Sequence, residues 1–339
     1  MYSPRLLGMN TTTIAFAADE QVAPGLYVSI YSVLYHASQD YAYQIYVLDG
    51  GLQPDTQRRL QALSALHPQA SVHIESANTD RLDVLKSPRN VGRAAYLLLL
   101  LPEVLPTCER ILYLDSDVLA LADVRGLFQV TLDRAIAGAV QEFTAPTIAG
   151  SRRFTGLSDV VTRSPDAPYF NSGMMVIDVE RWKAADVTTR AIDLLVHHFD
   201  KLTVDDQDAL NGVLGDACTV LDPTWNMQLY CAIKPTKTIR YDALQGCSDP
   251  RTALRTPRIL HFNHTPKPWH LGYTGPYRQQ YLRYLGMSGW HTPQEHRRYL
   301  ATNWLTYVYT KPVDTARRWK AKLRQAARSS RKRFQTTAT

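Results

Sequence analysis

Arg110-Ile111-Leu112-Tyr113-Leu114-Asp115-Ser116-Asp117 is a short apolar run that ends in two carboxylates. Runs of this length and type read as a buried strand. The carboxylates then emerge at the carboxyl edge of a sheet, where open α/β proteins bind ligands. Working outward, three similar runs precede it, Thr12–Ala17, Tyr43–Leu48 and Ser71–Glu75. Between them lie helical patterns: Val28–Tyr35, a segment opened by Pro54 at the first helical position after Gln53, and the leucine-rich Ala94–Leu105. The alternation predicts βαβ units, hence an α/β fold with a mostly parallel central sheet flanked by helices.

Further along, Gly150–Pro168 reads as a loop, and Asn171-Ser172-Gly173 as a turn leading into the buried strand Gly173–Asp178. Asp186–Phe199, Asp206–Leu214 and Pro293–Tyr309 carry helical patterns, and Arg258–Phe262 reads as another strand.

With 339 residues, 45% of them hydrophobic, the chain has enough material for one large α/β domain with an appendage. No run of about 18 apolar residues occurs. Met1–Asn10 lacks the apolar core of a signal peptide, so a cytoplasmic location is expected. Cys108, Cys218, Cys231 and Cys247 show no C-x-x-C spacing, which argues against a zinc or redox motif and predicts free thiols.

The net charge of +7 is unevenly distributed. Nine Lys and Arg residues crowd residues 315–339, which hold no Asp or Glu; outside that segment 29 basic residues face 31 acidic ones. Basicity therefore belongs to the tail, which argues against nucleic acid as a partner of the body. In the tail, Ala316, Trp319, Leu323, Ala326 and Ala327 recur at spacings of three and four, predicting a surface-lying amphipathic helix. Anionic headgroups offer up to about 1 kcal/mol per basic residue. The expected partner is an anionic membrane surface, with the protein peripheral on the inner face of the membrane.

The bare D-x-D pattern is weak evidence, because Asp206-Gln207-Asp208 repeats it on a predicted helix. A turn or helix-capping carboxylate is the plain alternative for Asp115. Paired carboxylates next to a diphosphate suit Mg²⁺ or Mn²⁺, and an added imidazole favours Mn²⁺. His261, after Arg258-Ile259-Leu260, is a candidate for it; a structural histidine is the alternative. Asn171-Ser172-Gly173 fits either a sugar-binding turn or a plain Asx-turn.

Ile14–Asp19, Tyr113–Asp117, Phe170–Gly173, Asp206-Gln207-Asp208, Trp225-Asn226 and His261–Trp269 together resemble glycosyltransferase family 8 in order and approximate spacing. Bacterial lipopolysaccharide galactosyl- and glucosyltransferases and glycogenin belong to that family. The resemblance implies a GT-A catalytic domain over residues 1–285, followed by a helical extension (286–314) and the basic tail (315–339). It implies a retaining, metal-dependent transfer of galactose or glucose from a UDP-sugar to a saccharide acceptor, including a lipid-linked or lipopolysaccharide glycan. By the same resemblance Ala17 and Asp19 hold uracil and ribose, Ser116 joins the donor-binding set, and Lys267 touches the phosphates. Asp115, Asp117 and His261 coordinate Mn²⁺, with Mg²⁺ as the alternative. Asn171 faces the transferred sugar beside Asp206 and Gln207, the catalytic pair. His264 stands where many members have Gly.

One position departs from the pattern: Tyr96 is followed by Leu97 and Leu98, where the family places a basic residue at the second of these. Arg93 lies five residues before Leu98, about 140° away on an α-helix. A rival reading of the whole chain is a membrane- or nucleic-acid-binding protein that works through its tail and whose carboxylates are structural.

Overall fold

The computed structural model describes residues 11–86, 92–148, 164, 166–230 and 239–308. The chain divides into two compact units, Met1–Met227 with Arg240–His261, and Gln228–Ile239 with Phe262–Thr339. The predicted basic tail, Cys231 and most of the predicted loop Gly150–Pro168 lie outside the described residues.

The first unit is built on a seven-stranded sheet. Its strands are β1 (Thr11–Ala18), β2 (Ala42–Asp49), β3 (Ala70–Glu75), β4 (Arg110–Leu114), β6 (Ala137–Gln141), β7 (Phe170–Asp178) and β8 (Cys218–Val220), while β5 (Val118–Ala120) lies outside it. The order is β3-β2-β1-β4-β7-β6-β8. All pairings are parallel except those of β7, which runs antiparallel to β4 and β6. Thr12 through Ala18 are buried without alternation, as expected of a parallel strand covered on both faces. The α/β fold class, with its mostly parallel sheet flanked by helices, is the one the sequence implies.

Helix α1 (Ala23–Tyr35) starts earlier than its apolar pattern, with Pro24 in its first turn, and α2 (Pro54–Ala62) begins after Gln53 as predicted. The expected helix Ala94–Leu105 is instead a 3₁₀ helix, Arg93–Leu100, followed by a single α-helical turn, α3 (Leu101–Val104). Pro102 has no N–H to offer the Leu98 carbonyl, so an uninterrupted α-helix cannot run through it. Leu97 to Leu101 are all buried, a demand that one helical face cannot meet.

The second correction concerns β7. Asn171-Ser172-Gly173 is part of the strand, not a turn before it. Because β7 is reversed, its first residues lie where the parallel strands end: Gly173 O accepts from Asp115 N at 2.9 Å, one step beyond the Leu114–Met174 pair. After β7 come α4 (Val179–Ala184), α5 (Val187–His198) and α6 (Asp205–Leu214), the last two close to their predicted spans. A two-residue strand β9 (Met227–Gln228) precedes β10 (Ile259–His261), which runs antiparallel to β5 and sets His261 opposite Val118.

In the second unit, Phe262 packs edge-on against Tyr273 and Tyr281. A helix spans residues 293–308, as predicted up to Tyr309, which is not described. Its buried Asn303 donates to Tyr299 Oη at 3.0 Å, while Leu300, Trp304, Leu305 and Val308 are exposed. Among the described residues Cys108, Cys218 and Cys247 form no disulfide. No described helix is long and apolar enough to cross a membrane.

Candidate metal and sugar site

Asp115, Asp117 and His261 offer one ligand atom each within 4.8 Å of one another, the arrangement expected of a divalent-cation site. His261 Nε2 lies 3.4 Å from Asp115 Oδ2 and 3.2 Å from Asp117 Oδ1. The His261 and Asp117 side chains are 2% and 9% exposed and that of Asp115 37%, so the cluster opens on the Asp115 side. Burial alone would lower the His261 pKa; the Asp117 and Asp115 carboxylates outweigh it and push it up to about 9. Two anions facing a buried imidazole call for a cation, either a proton or a metal.

The floor of the cluster is Gly173. A Cβ there would lie 2.3 Å from His261 Cε1 and 2.5 Å from Asp115 Oδ2, so any side chain would fill the space between the ligands. The donor set, two carboxylates and an imidazole, suits a hard or borderline cation such as Mn²⁺ or Mg²⁺. The residues present therefore fit a metal.

Buried hydroxyls hold the ligands in place. Ser29 Oγ on α1 donates to the Val118 carbonyl at 2.6 Å and contacts that of Ser116 at 3.0 Å, while Ser32 Oγ accepts from Ala120 N at 2.9 Å. Tyr113 Oη donates to Asp115 Oδ1 at 2.8 Å. Burial, and then the Asp115 charge, raise the Tyr113 pKa well above its usual value and keep it a donor.

Next to this cluster lie the residues expected to face a sugar. Asn171 Nδ2 donates to Gln207 Oε1 at 2.9 Å, and Ser172 Oγ donates to Asp206 Oδ2 at 3.0 Å. Gln207 Nε2 donates to Tyr169 Oη at 3.0 Å, and Tyr169 Oη in turn donates to Asp208. The Asp208 carboxylate also accepts from the Thr203 and Val204 N–H groups just before α6. Asp206, Asp205 and Asp208 sit in the first turn of α6, where the helix dipole favours negative charge. Burial first, and the Asp115 charge second, nevertheless raise the Asp206 pKa to about 7.

Ala17 lies at the end of β1, and Asp19 caps the following 3₁₀ turn by accepting from Gln21 N at 3.0 Å. Gly92 makes room for Asp19: a Cβ at residue 92 would come within 2.3 Å of its Oδ2. The expected set Ala17, Asp19, Asp115, Ser116, Asp117, Asn171, Asp206, Gln207 and His261 thus all falls within the first unit.

Lys267 and His264 belong to the second unit. Lys267 Nζ donates to the Phe262 carbonyl at 3.1 Å, and His264 stacks on Tyr273 with ring centroids 5.7 Å apart. Leu98 is buried, and the Arg93 guanidinium donates to the Leu82 carbonyl at 2.8 Å.

Gly173, Ser29, Ser32 and Tyr169 have site roles that the sequence reading did not assign, and it left Asn226 and Asp208 without a role. A serine within an apolar helix carries no motif. Gly173, Asn226 and Asp208 lie within the family-like motifs and needed only the residues that face them.

Residues 13–271 match the family model for glycosyl transferase family 8. General stress protein A of Bacillus subtilis is 30% identical over 283 residues, covering 82% of this chain and 94% of that protein. The lipopolysaccharide 1,2-glucosyltransferase of Escherichia coli is 27% identical over 297 residues, covering 84% of this chain and 82% of that one. Among solved structures, the galactosyltransferase LgtC in complex with donor and acceptor sugar analogues superposes with a TM-score of 0.67 at 22% identity, covering 85% of this chain and all of that one.

Proposed function

Because the chain belongs to glycosyltransferase family 8 and is a glycosyltransferase, we propose that it is a metal-dependent, retaining enzyme that moves galactose or glucose from a UDP-sugar to a saccharide acceptor. The observation that carries this reading is the Asp115–Asp117–His261 cluster beside the Asn171–Gln207 pair at one sheet edge. Mn²⁺, or Mg²⁺ in its place, would be held by those three side chains and would neutralise the diphosphate as it departs. Ala17 and Asp19 would bind the nucleoside end, with Ser116 and Lys267 in the phosphate-binding set.

Gln207 is too weak a nucleophile to form a stable covalent intermediate; its amide orients the sugar and stabilises charge at the anomeric carbon. Asp206 is the stronger base and stands close to Asp115 in charge interaction. We assign it the sugar hydroxyls and the positive charge that grows as the glycosidic bond breaks. Retention then follows from attack on the face the diphosphate leaves.

Screening UDP-glucose, UDP-galactose and their N-acetyl forms for slow hydrolysis without acceptor tests this directly. One hexose donor is expected to be consumed only when Mn²⁺ or Mg²⁺ is present, and proton NMR of the first transfer product should show an α linkage. Metal-independent turnover, or a β-linked product, would overturn the reading.

A lipid-linked or lipopolysaccharide acceptor on the inner membrane face is the acceptor class we favour, and a surface feature supports it. On the helix over residues 293–308, the exposed Leu300, Trp304, Leu305 and Val308 share a face with Arg297 and Arg298, an arc of about 160° at 100° per residue. Nine basic residues follow in 315–339. An apolar face flanked by cations suits a sheet of anionic headgroups. The full chain is expected to co-sediment with anionic vesicles, more weakly at high salt. Deleting residues 315–339 together with Trp304→Ala should abolish this while transfer to a small soluble sugar is kept. Equal vesicle binding by both forms at low salt would remove the membrane assignment.

A further inference from the structure

His261 Nδ1 lies 2.9 Å from Asn226 Oδ1, and Asn226 Nδ2 donates to Asn171 Oδ1 at 2.9 Å. Both ends of an amide side chain look alike by shape, so its orientation must come from groups with no choice of role. Two backbone N–H groups supply that: Gly173 N donates to Asn171 Oδ1 at 3.2 Å, and Ser172 N to Gln207 Oε1 at 3.4 Å. Asn171 must therefore present its oxygen to Asn226 and its nitrogen to Gln207. Asn226 must then present its nitrogen to Asn171 and its oxygen to the imidazole. An oxygen at that place accepts only from a protonated Nδ1, so in the neutral ring that a metal ligand must be, the Nε2 lone pair faces Asp115 and Asp117.

All of these side chains are buried, Asn226 completely, so water does not offer His261 another partner for Nδ1. We propose that Asn226 is a positioning residue for the metal: through an orientation dictated by the Ser172 and Gly173 N–H groups, it holds His261 in the Nδ1–H tautomer whose Nε2 completes the cation site. This rests on the metal reading above. It adds that the first residues of β7, placed at this edge by the reversal of that strand, set the polarity of the hydrogen-bond chain that ends at the metal ligand.

Partners of this kind typically govern 10- to 100-fold in metal affinity. Asn226→Leu, close in shape but unable to accept or donate, should weaken Mn²⁺ binding to the full-length protein by that factor. Titration followed by electron paramagnetic resonance of free Mn²⁺ reads it out. Asn226→Asp restores an acceptor for Nδ1–H but sets an oxygen against Asn171 Oδ1, and should recover part of the affinity that Asn226→Leu loses. Turnover of Asn226→Leu should return toward the wild-type kcat at saturating Mn²⁺, which a general loss of packing would not produce.

The wild type gives an independent measurement that needs no variant. With Mg²⁺ bound, ¹⁵N NMR of His261 should show a protonated Nδ1 and an unprotonated Nε2. A proton on Nε2, or unchanged Mn²⁺ affinity in a folded Asn226→Leu protein, would overturn the proposal while leaving the metal site in place. Failure of the wild type to bind Mn²⁺ or Mg²⁺ would instead overturn the metal reading on which it rests.

Discussion

Asp117→Asn lowers turnover by about a thousandfold or more, equivalent to roughly 4 kcal/mol of lost stabilisation at the departing diphosphate, and leaves the fold intact. Asp117 Oδ1 stands 3.2 Å from His261 Nε2 and its side chain is 9% exposed, so the substitution removes a charge from the enclosed side of the cluster. An amide is a poorer ligand for a hard cation than a carboxylate, and the remaining Asp115 is the more exposed of the pair. kcat across a Mn²⁺ titration, with circular dichroism of the same samples, measures the effect. Normal turnover in a folded variant would end the assignment.

The metal-free protein offers a second readout of the same cluster. His261 has a folded pKa of about 9, above its ordinary 6.5, so its contribution to stability is fully present below pH 6.5 and is lost as pH rises through 9. Asp206, raised from 3.8 to about 7, favours the folded state at low pH and loses that advantage as pH climbs between those values. Both run in the same direction. Metal-free Tm should therefore carry a component that falls with pH across this range, smaller in Asp117→Asn because one of the two charges that raise His261 is gone, and Mn²⁺ should restore it by taking the protons' place.

Gly173→Ala should be nearly as damaging to activity by a different route. The added methyl carbon would lie 2.3 Å from His261 Cε1, 2.5 Å from Asp115 Oδ2 and 3.0 Å from His261 Nε2. Residue 173 sits in a regular strand, so the cost is one of space. Overpacking of this kind costs about 1–3 kcal/mol of stability, small beside its effect on ligands that must converge on one ion. Mn²⁺ affinity is expected to fall more than about 100-fold, as loss of two of three ligand positions implies, with transfer close to background. Calorimetric titration of Mn²⁺ decides it, and wild-type affinity in this variant would show that the ligands have room elsewhere.

β1, β2 and β4 were legible because each is a short apolar run between turn residues, and burial on both faces leaves little alternation to misread, while the edge strand β3 is half-buried and was legible from its β-branched Val72 and Ile74. The interior of the third predicted helix was not, because leucines at every position satisfy any period and Pro102 acts on a carbonyl four residues away. Asn171-Ser172-Gly173 was misjudged for a related reason: polar and small residues at the head of a strand read as a turn, and their hydrogen bonds to Gln207 and Asp206 are long-range.

Asp115 and Asp117 were legible as a pair at a strand end, and His261 as a residue after one, but what joins them is the β5–β10 pairing that sets His261 opposite Val118. Asn226 needed its partners on both sides before its part was visible.

The reversed strand has a further consequence for how such an enzyme can diversify. β6 runs parallel to β8 and opposite to β7, so Gln141 and Phe170 both stand at the edge that bears the metal ligands, and beyond them the two chain segments stay paired, Glu142 N donating to Tyr169 O and Ile148 N to Ala167 O at 2.9 Å each. A sequence held at both ends by such pairs can be lengthened, shortened or exchanged between residues 148 and 167 without shifting the register of any strand. Selection can therefore rewrite that sequence while Tyr169, Asp208 and the Asp115–Asp117–His261 cluster are inherited unchanged.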